Sequence, residues 1–164
     1  MKNLIVSFGV LALSGVAFAE EKQIAETEVP RPVIEKVKKK YPTAKMTGFE
    51  VETENGKSAY EVKLADGAKQ LEVVCSADGK ILAEEEKIAM DAVPQKVRDA
   101  LKRNPKYGAW SVQHAERVIL DEKVDAPTYE IKVVDGTTRV ELVFASDGTL
   151  TKTEAKEMQP KKKK

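Results

Sequence analysis

Cysteine, histidine and tryptophan each occur once, as Cys75, His114 and Trp110. A single cysteine closes no intramolecular disulfide, so the fold has to be held by packing. One thiol and one imidazole also fall short of the several convergent His, Cys or carboxylate ligands that a zinc site needs. A nucleophile–base pair would have to bring Cys75 and His114 together from distant parts of the chain. Aromatic residues make up 5% of the chain and the formal net charge is +1. The aromatic platforms and basic field used to bind nucleic acid are therefore both missing. The acidic loop of an EF-hand, with its central glycine, is absent as well.

Only the N-terminus carries a long apolar run, from Leu4 to Val16, interrupted by Ser and Gly alone. It follows Lys2 and ends at Ala17-Phe18-Ala19, which is the arrangement of a cleavable signal peptide. The run is shorter than the roughly 18 to 20 residues a membrane-spanning helix needs. Residues 1–19 are therefore read as a signal peptide cut after Ala19, which directs the chain to the periplasm or beyond. No Cys stands at the boundary to carry a lipid. Without Lys2 the acidic and basic residues balance at 27 each, so no global field selects a partner.

What is present is a stretch that occurs twice. Tyr60 to Ile81 reads YEVKLADGAKQLEVVCSADGKI, and Tyr129 to Leu150 reads YEIKVVDGTTRVELVFASDGTL. At a constant offset of 69 residues, Tyr, Glu, Lys, Asp-Gly, Glu, Val and a second Asp-Gly recur. Period-2 alternation between turn signals describes antiparallel strands, and the duplication describes two like units.

Residues 20–28 are polar and read as a flexible segment. A helix is expected from about Pro30 to Lys40, with Val33, Ile34, Val37 and Tyr41 on one stripe and Pro42 as its stop. Lys38, Lys39 and Lys40 suit the negative end of its dipole. Strands follow over Lys45–Glu54, Ser58–Leu64, about Leu71–Cys75 and Ile81–Glu85, with Asn55-Gly56, Asp66-Gly67 and Asp78-Gly79 as turns. The order repeats from Val93-Pro94. A short helix carries Val97, Ala100 and Leu101, and a strand begins near Trp110 and Val112. A longer connection, Asp121 to Pro127, replaces the Asn-Gly turn. Strands Thr128–Val134, Thr138–Ala145 and Thr149–Thr153 complete the second unit. The fold class is α+β, each unit a helix laid on an antiparallel sheet of about four strands. The organisation expected is 1–19 signal peptide, 20–28 flexible segment, 29–88 first unit, 89–157 second unit and 158–164 a disordered Lys-rich tail. Because each unit is small for a core without disulfides, the two are expected to share an interface or to continue one sheet.

The Val-Pro helix, the proline stop, Tyr-Glu-(Val/Ile)-Lys, and the paired Asp-Gly turns together resemble the PepSY-like family. These are small exported bacterial domains also described as β-lactamase-inhibitor-like. The resemblance rests on Tyr60, Asp66, Gly67, Asp78 and Gly79, and on Tyr129, Asp135, Gly136, Asp147 and Gly148. It spans about Val29 to Ala155. It implies the tandem helix-plus-sheet architecture of β-lactamase inhibitory protein, in which a sheet surface grips an enzyme.

No catalytic, cofactor-binding or metal-binding residue is assigned. Cys75 matches Phe144 of the other copy and reads as a packed core thiol, and Tyr60 and Tyr129 read as core anchors. His114 reads as a residue of the sheet surface or rim, and Trp110 as core. Asp66, Asp78, Asp135 and Asp147 each precede Gly and read as turn residues. Glu84-Glu85-Glu86 reads as a solvated cluster between the units. Lys161 to Lys164 offer weak contact with anionic surfaces. The function expected is a non-catalytic, exported protein-binding domain that modulates or inhibits a peptidase or other envelope enzyme. The alternatives are a periplasmic binder of a small ligand or divalent metal, and a structural stress protein of the envelope.

Overall fold

The computed structural model describes residues 20–54, 57–122 and 126–157. The proposed signal peptide, the Asn55-Gly56 turn and the Lys-rich tail lie outside the described residues. The chain divides into two compact units, one ending at Glu84 and the other beginning at Glu85.

In the first unit, β1 (Glu20–Gln23) is followed by a 3-10 turn (Glu26–Glu28), α1 (Arg31–Lys40), β2 (Lys45–Glu54), β3 (Lys57–Asp66) and β4 (Lys69–Ser76). The segment 20–28, read as flexible from its polarity, thus forms an edge strand, with Gln23 opposite Glu50 in an antiparallel pair with β2. Lys22 and Gln23 are exposed, but an edge strand needs only backbone partners on one side, and polarity does not report on those. β5 (Ile81–Ile88) carries the unit boundary. The second unit continues through a 3-10 turn (Met90–Ala92), α2 (Gln95–Arg103), β6 (Ser111–Leu120), β7 (Thr128–Asp135), β8 (Thr138–Ala145) and β9 (Leu150–Glu157).

Strand order follows the chain in one series from β1 to β9. This replaces the sheet of about four strands read for each unit with one series of nine; a continued sheet was one of the two arrangements expected. The fourth strand does not stop at Glu85; it runs to Ile88, and its two halves fall in different units. Charge on Glu84-Glu85-Glu86 does not end it, because Glu84 and Glu85 are themselves buried.

The helices form where the sequence stops and starts them. Pro30 and Pro94 stand at the N-caps, where a missing N–H costs nothing. Tyr41 N–H donates to Val37 O at 2.8 Å as the last bond of α1, and Pro42 prevents another turn. Val33 and Val37 of α1 are fully buried against Val62, Leu71, Val73 and Cys75. In the second unit Val97 and Leu101 of α2 cover Ile131, Val140, Leu142 and Phe144. Each such side chain contributes roughly 1.5 to 3 kcal/mol by leaving water. The apolar layer of each unit thus lies on the helix side of its strands, and the alternate residues point the other way.

Candidate functional site

Alternation decides what the helix-free face carries. In Tyr-Glu-Ile-Lys, Tyr129 and Ile131 belong to the apolar layer, so Glu130 and Lys132 share the opposite face of β7. Register adds their neighbours: Glu116 lies opposite Glu130 and His114 opposite Lys132 across β6, while Glu141 lies opposite Lys132 across β8. Residues directly opposite in antiparallel strands share a face. Lys132 Nζ stands 3.1 Å from Glu116 Oε2, 3.1 Å from Glu130 Oε1 and 3.9 Å from Glu141 Oε1. His114 Nε2 is 3.3 Å from Glu116 Oε1. The lysine and the three glutamates are all buried, with 2 to 4% of their surface exposed.

The same lattice occurs in the first unit. Glu50 lies opposite Glu61 across β2 and β3, and Lys63 lies opposite Glu72 of β4. Lys63 Nζ stands 2.7 Å from Glu50 Oε1 and 3.4 Å from Glu61 Oε1. In each unit, then, three carboxylates gather around one ammonium.

Burial and crowding set the protonation of these groups. Burial, reinforced by Glu72 and only partly offset by Lys63, pushes the Glu61 carboxyl up to about 9. Burial likewise pushes Glu130 up to about 7, with Glu141 and Glu116 adding to it and Lys132 opposing. For Lys132, burial alone would favour the neutral amine, but Glu130, Glu116 and Glu141 outweigh it and hold the ammonium above the ordinary range. The pair is asymmetric because the lysine faces three anions while Glu130 faces one cation and two anions. Glu116 is also costly to bury, yet it is held below the ordinary carboxylate range by His114 and Lys132. Buried ion clusters of this kind are weak contributors to stability, and a protonated glutamate is how the crowding is relieved.

Both tandem repeats match one family model, described as "Putative beta-lactamase-inhibitor-like, PepSY-like", over residues 17–83 and 81–152. The chain belongs to the PepSY-like family. Solved structures share the PepSY-like fold. The chain is similar to a "BLIP-like protein" of Bacteroides fragilis, with 20% identity, a TM-score of 0.61, and coverage of 82% of this chain and 92% of that one. It is also similar to one of the "putative periplasmic proteins" of Bacteroides eggerthii, with 20% identity, a TM-score of 0.65, and coverage of 77% and 88%. No curated protein matches.

Within the PepSY-like units the residues singled out from sequence fall as follows. Cys75 is fully buried in the helix-side layer, the place its match to Phe144 indicates. Tyr129 is buried, and Tyr60 is half-buried against the equivalent layer. Trp110 precedes β6 instead of opening it, and packs edge-on against buried Tyr107 with ring centroids 5.2 Å apart. The Asp-Gly pairs are turns: Gly67, Gly79, Gly136 and Gly148 all have positive φ. Asp78 accepts a hydrogen bond from Ser76 Oγ, and Asp147 accepts one from Thr149 N–H at 2.9 Å.

One reading is corrected. Glu84-Glu85-Glu86 is not a solvated face: Glu84 accepts hydrogen bonds from Tyr41 Oη and, at 2.7 Å, Lys40 Nζ, and Glu86 accepts one from Arg117 Nη2 at 2.7 Å. These partners come from α1 and β6, remote in sequence, so local charge could not reveal them. His114, read as a residue of the sheet surface or rim, lies on β6 beside the Lys132 cluster with a side chain 16% exposed. The glutamate lattice itself was missed. Its only signal is that Glu-x-Lys and the outward Glu recur in both copies, which a solvated strand face would also show.

Among the described residues, no group of three or more His, Cys, Asp or Glu is placed to hold a metal ion, and no helix is long and apolar enough to cross a membrane. Cys75 is packed in the first unit, and His114 stands beside Glu116 in the second.

Proposed function

We propose that this chain is an exported, non-catalytic binding domain that engages another envelope or secreted protein through the helix-free face of its first unit. The observation that carries the reading is the division of each unit into an apolar layer under a helix and a polar face without one. In the first unit half-buried Glu52 and Glu72 stand on the polar face beside buried Glu50 and Glu61 and the Lys63 ammonium. Carboxylates outnumber cations there, which suits a partner that presents basic side chains. Export is supported by the signal-like residues 1–19 and by the periplasmic description of a relative. Modulation or inhibition of a peptidase or other envelope enzyme is the specific form proposed, supported by the inhibitor-like description of the family and of one relative.

The test is affinity capture from an envelope extract on the folded chain beginning at Glu20, at micromolar bait. A control bait carries Glu52→Lys and Gln70→Lys, two outward positions on that face that are half-buried and exposed. The expected result is a discrete protein held by the wild-type bait, released by salt, and not held by the control. Equal capture by both baits, or none by a folded wild-type bait, overturns the reading. Intact mass of the protein from its host tests export, with Glu20 as the expected first residue.

A further inference from the structure

In both units the strand after the helix carries a bulge, at Thr47 between Met46 and Gly48 and at Gln113 between Val112 and His114. The residue that follows the bulge lies opposite the cluster lysine. In the first unit this is Gly48, opposite Lys63; in the second it is His114, opposite Lys132. A Cβ on Gly48 would already touch the lysine stem, at 3.4 Å from Lys63 Cδ. The first unit therefore closes that place with lysine methylenes, and the second fills it with an imidazole whose Nε2 stands 3.3 Å from Glu116 Oε1.

We propose that the helix-free face of the second unit is a proton-responsive element, in which protonation of Glu130 and protonation of His114 are coupled through Lys132 and Glu116. The first unit, with glycine at the equivalent position, lacks the second proton carrier. The coupling has a short physical path. Lys132 Nζ is shared at 3.1 Å between Glu116 and Glu130, and Glu116 spends its other oxygen on His114. When Glu130 ionises, it draws on the same ammonium and adds an anion to the cluster, so a proton on His114 is favoured. When Glu130 is protonated, Lys132 is left to Glu116 and Glu141, and the need for a cation at His114 falls. Sites linked this closely titrate as a set.

The remaining charged neighbours come from β5, β8 and β9. Glu85 of β5 is a further buried carboxylate, while Glu86 of β5 is taken by Arg117. On β8, Arg139 lies opposite Val134, two pairs along from Lys132 and Glu141 and so on the same face. On β9, Glu154 lies opposite Glu141 and is paired with Lys152 at 2.6 Å. The α2 side of the strands is the apolar layer and brings no charge.

The first unit sets the contrast. Glu61 holds its proton up to about 9, so that carboxyl keeps one protonation state across the range in which Glu130, at about 7, changes. The two repeats thus share a lattice and differ in the residue opposite its lysine, Gly48 or His114.

His114 is the only histidine in the chain, so its ring protons give an isolated NMR signal in the intact folded protein. A titration from about pH 5 to 11 would follow that signal together with the carboxyl carbons of the glutamates, spanning both raised carboxyls. The expected result is a Glu130 carboxyl that titrates well above the ordinary glutamates, and a His114 curve with an inflection at the same midpoint. Glu130→Gln is expected to remove that inflection, and His114→Gly to move the Glu130 midpoint upward. A Glu130 carboxyl that titrates with the ordinary glutamates overturns the proposal, as does a His114 curve unchanged by Glu130→Gln. If a variant fails to fold, the wild-type carboxyl and imidazole curves decide alone, by sharing or not sharing a midpoint.

Discussion

Glu130 Oε1 lies 3.1 Å from Lys132 Nζ, two residues along one strand and on one face of it, with both side chains buried. This pair is the centre of a cluster in which one ammonium answers three carboxylates. Lys132→Met should therefore be among the most damaging single changes, at about 3 to 5 kcal/mol, because it leaves buried anions uncompensated. Adding Glu130→Gln should recover part of that loss. Chemical denaturation of the two single variants and the double variant measures it, and strict additivity would show that the pair is not coupled.

Stability should fall as pH rises from weakly acidic to alkaline. A carboxyl raised in the folded state contributes stability that is complete below its unfolded value and lost as pH passes the folded one. For Glu130 the window runs from 4.5 to about 7, and for Glu61 from 4.5 to about 9. Glu116 is lowered, so its contribution is present above 4.5 and is lost only as pH falls below that. In urea midpoints taken between about pH 5 and 10, Glu61→Gln should flatten the alkaline part of the decline, because its amide has no proton to lose. A wild-type curve that rises through neutrality would contradict the buried lattice.

Cys75 should resist a thiol reagent in the native protein and react quickly once the chain is unfolded, since it is fully buried. Cys75→Ser should destabilise by about 1 to 3 kcal/mol, the cost of putting a hydroxyl into an apolar layer. Rapid stoichiometric labelling of the folded monomer would place the thiol elsewhere.

The two repeat tyrosines should not be equal. Tyr129 is buried within its layer, whereas Tyr60 is half-buried at the margin of the equivalent one. Tyr129→Ala should cost about 3 to 5 kcal/mol, the range for a large core aromatic. Tyr60→Ala should cost measurably less, a ranking that the denaturation midpoints of the two variants read directly.

The Asp-Gly turns offer the sharpest comparison. A Cβ on Gly79 would stand 2.7 Å from Pro32 O, and one on Gly148 2.6 Å from Lys96 O, while one on Gly67 or Gly136 meets nothing within 4 Å. All four have positive φ, so alanine is strained at each by roughly 1 kcal/mol. Gly79→Ala and Gly148→Ala should exceed Gly67→Ala and Gly136→Ala, because a backbone carbonyl cannot move aside as a side chain can. Thermal melts of the four variants rank them, and equal losses would remove the close turn–helix approach.

Local order was legible because it is local. Alternation in Tyr60-Val62-Leu64 and Tyr129-Ile131-Val133, the stop at Pro42, and the doubled Asp-Gly turns each constrain a few neighbouring residues. Those constraints were enough for two helices, the strands of both repeats and the side of each strand that faces a helix. Tertiary structure alone decided which polar residues are buried. Glu84 is paired with Lys40 and Tyr41, Glu116 with Lys132 and His114, and Glu61 is crowded by Glu50 and Glu72. Each of these contacts joins separate elements brought together by strand register, and the energy of a charge depends on those neighbours rather than on its place in the chain. The same reason separates Gly67 from Gly79: the dipeptide is identical, and only the turn that approaches a helix cannot accept a side chain.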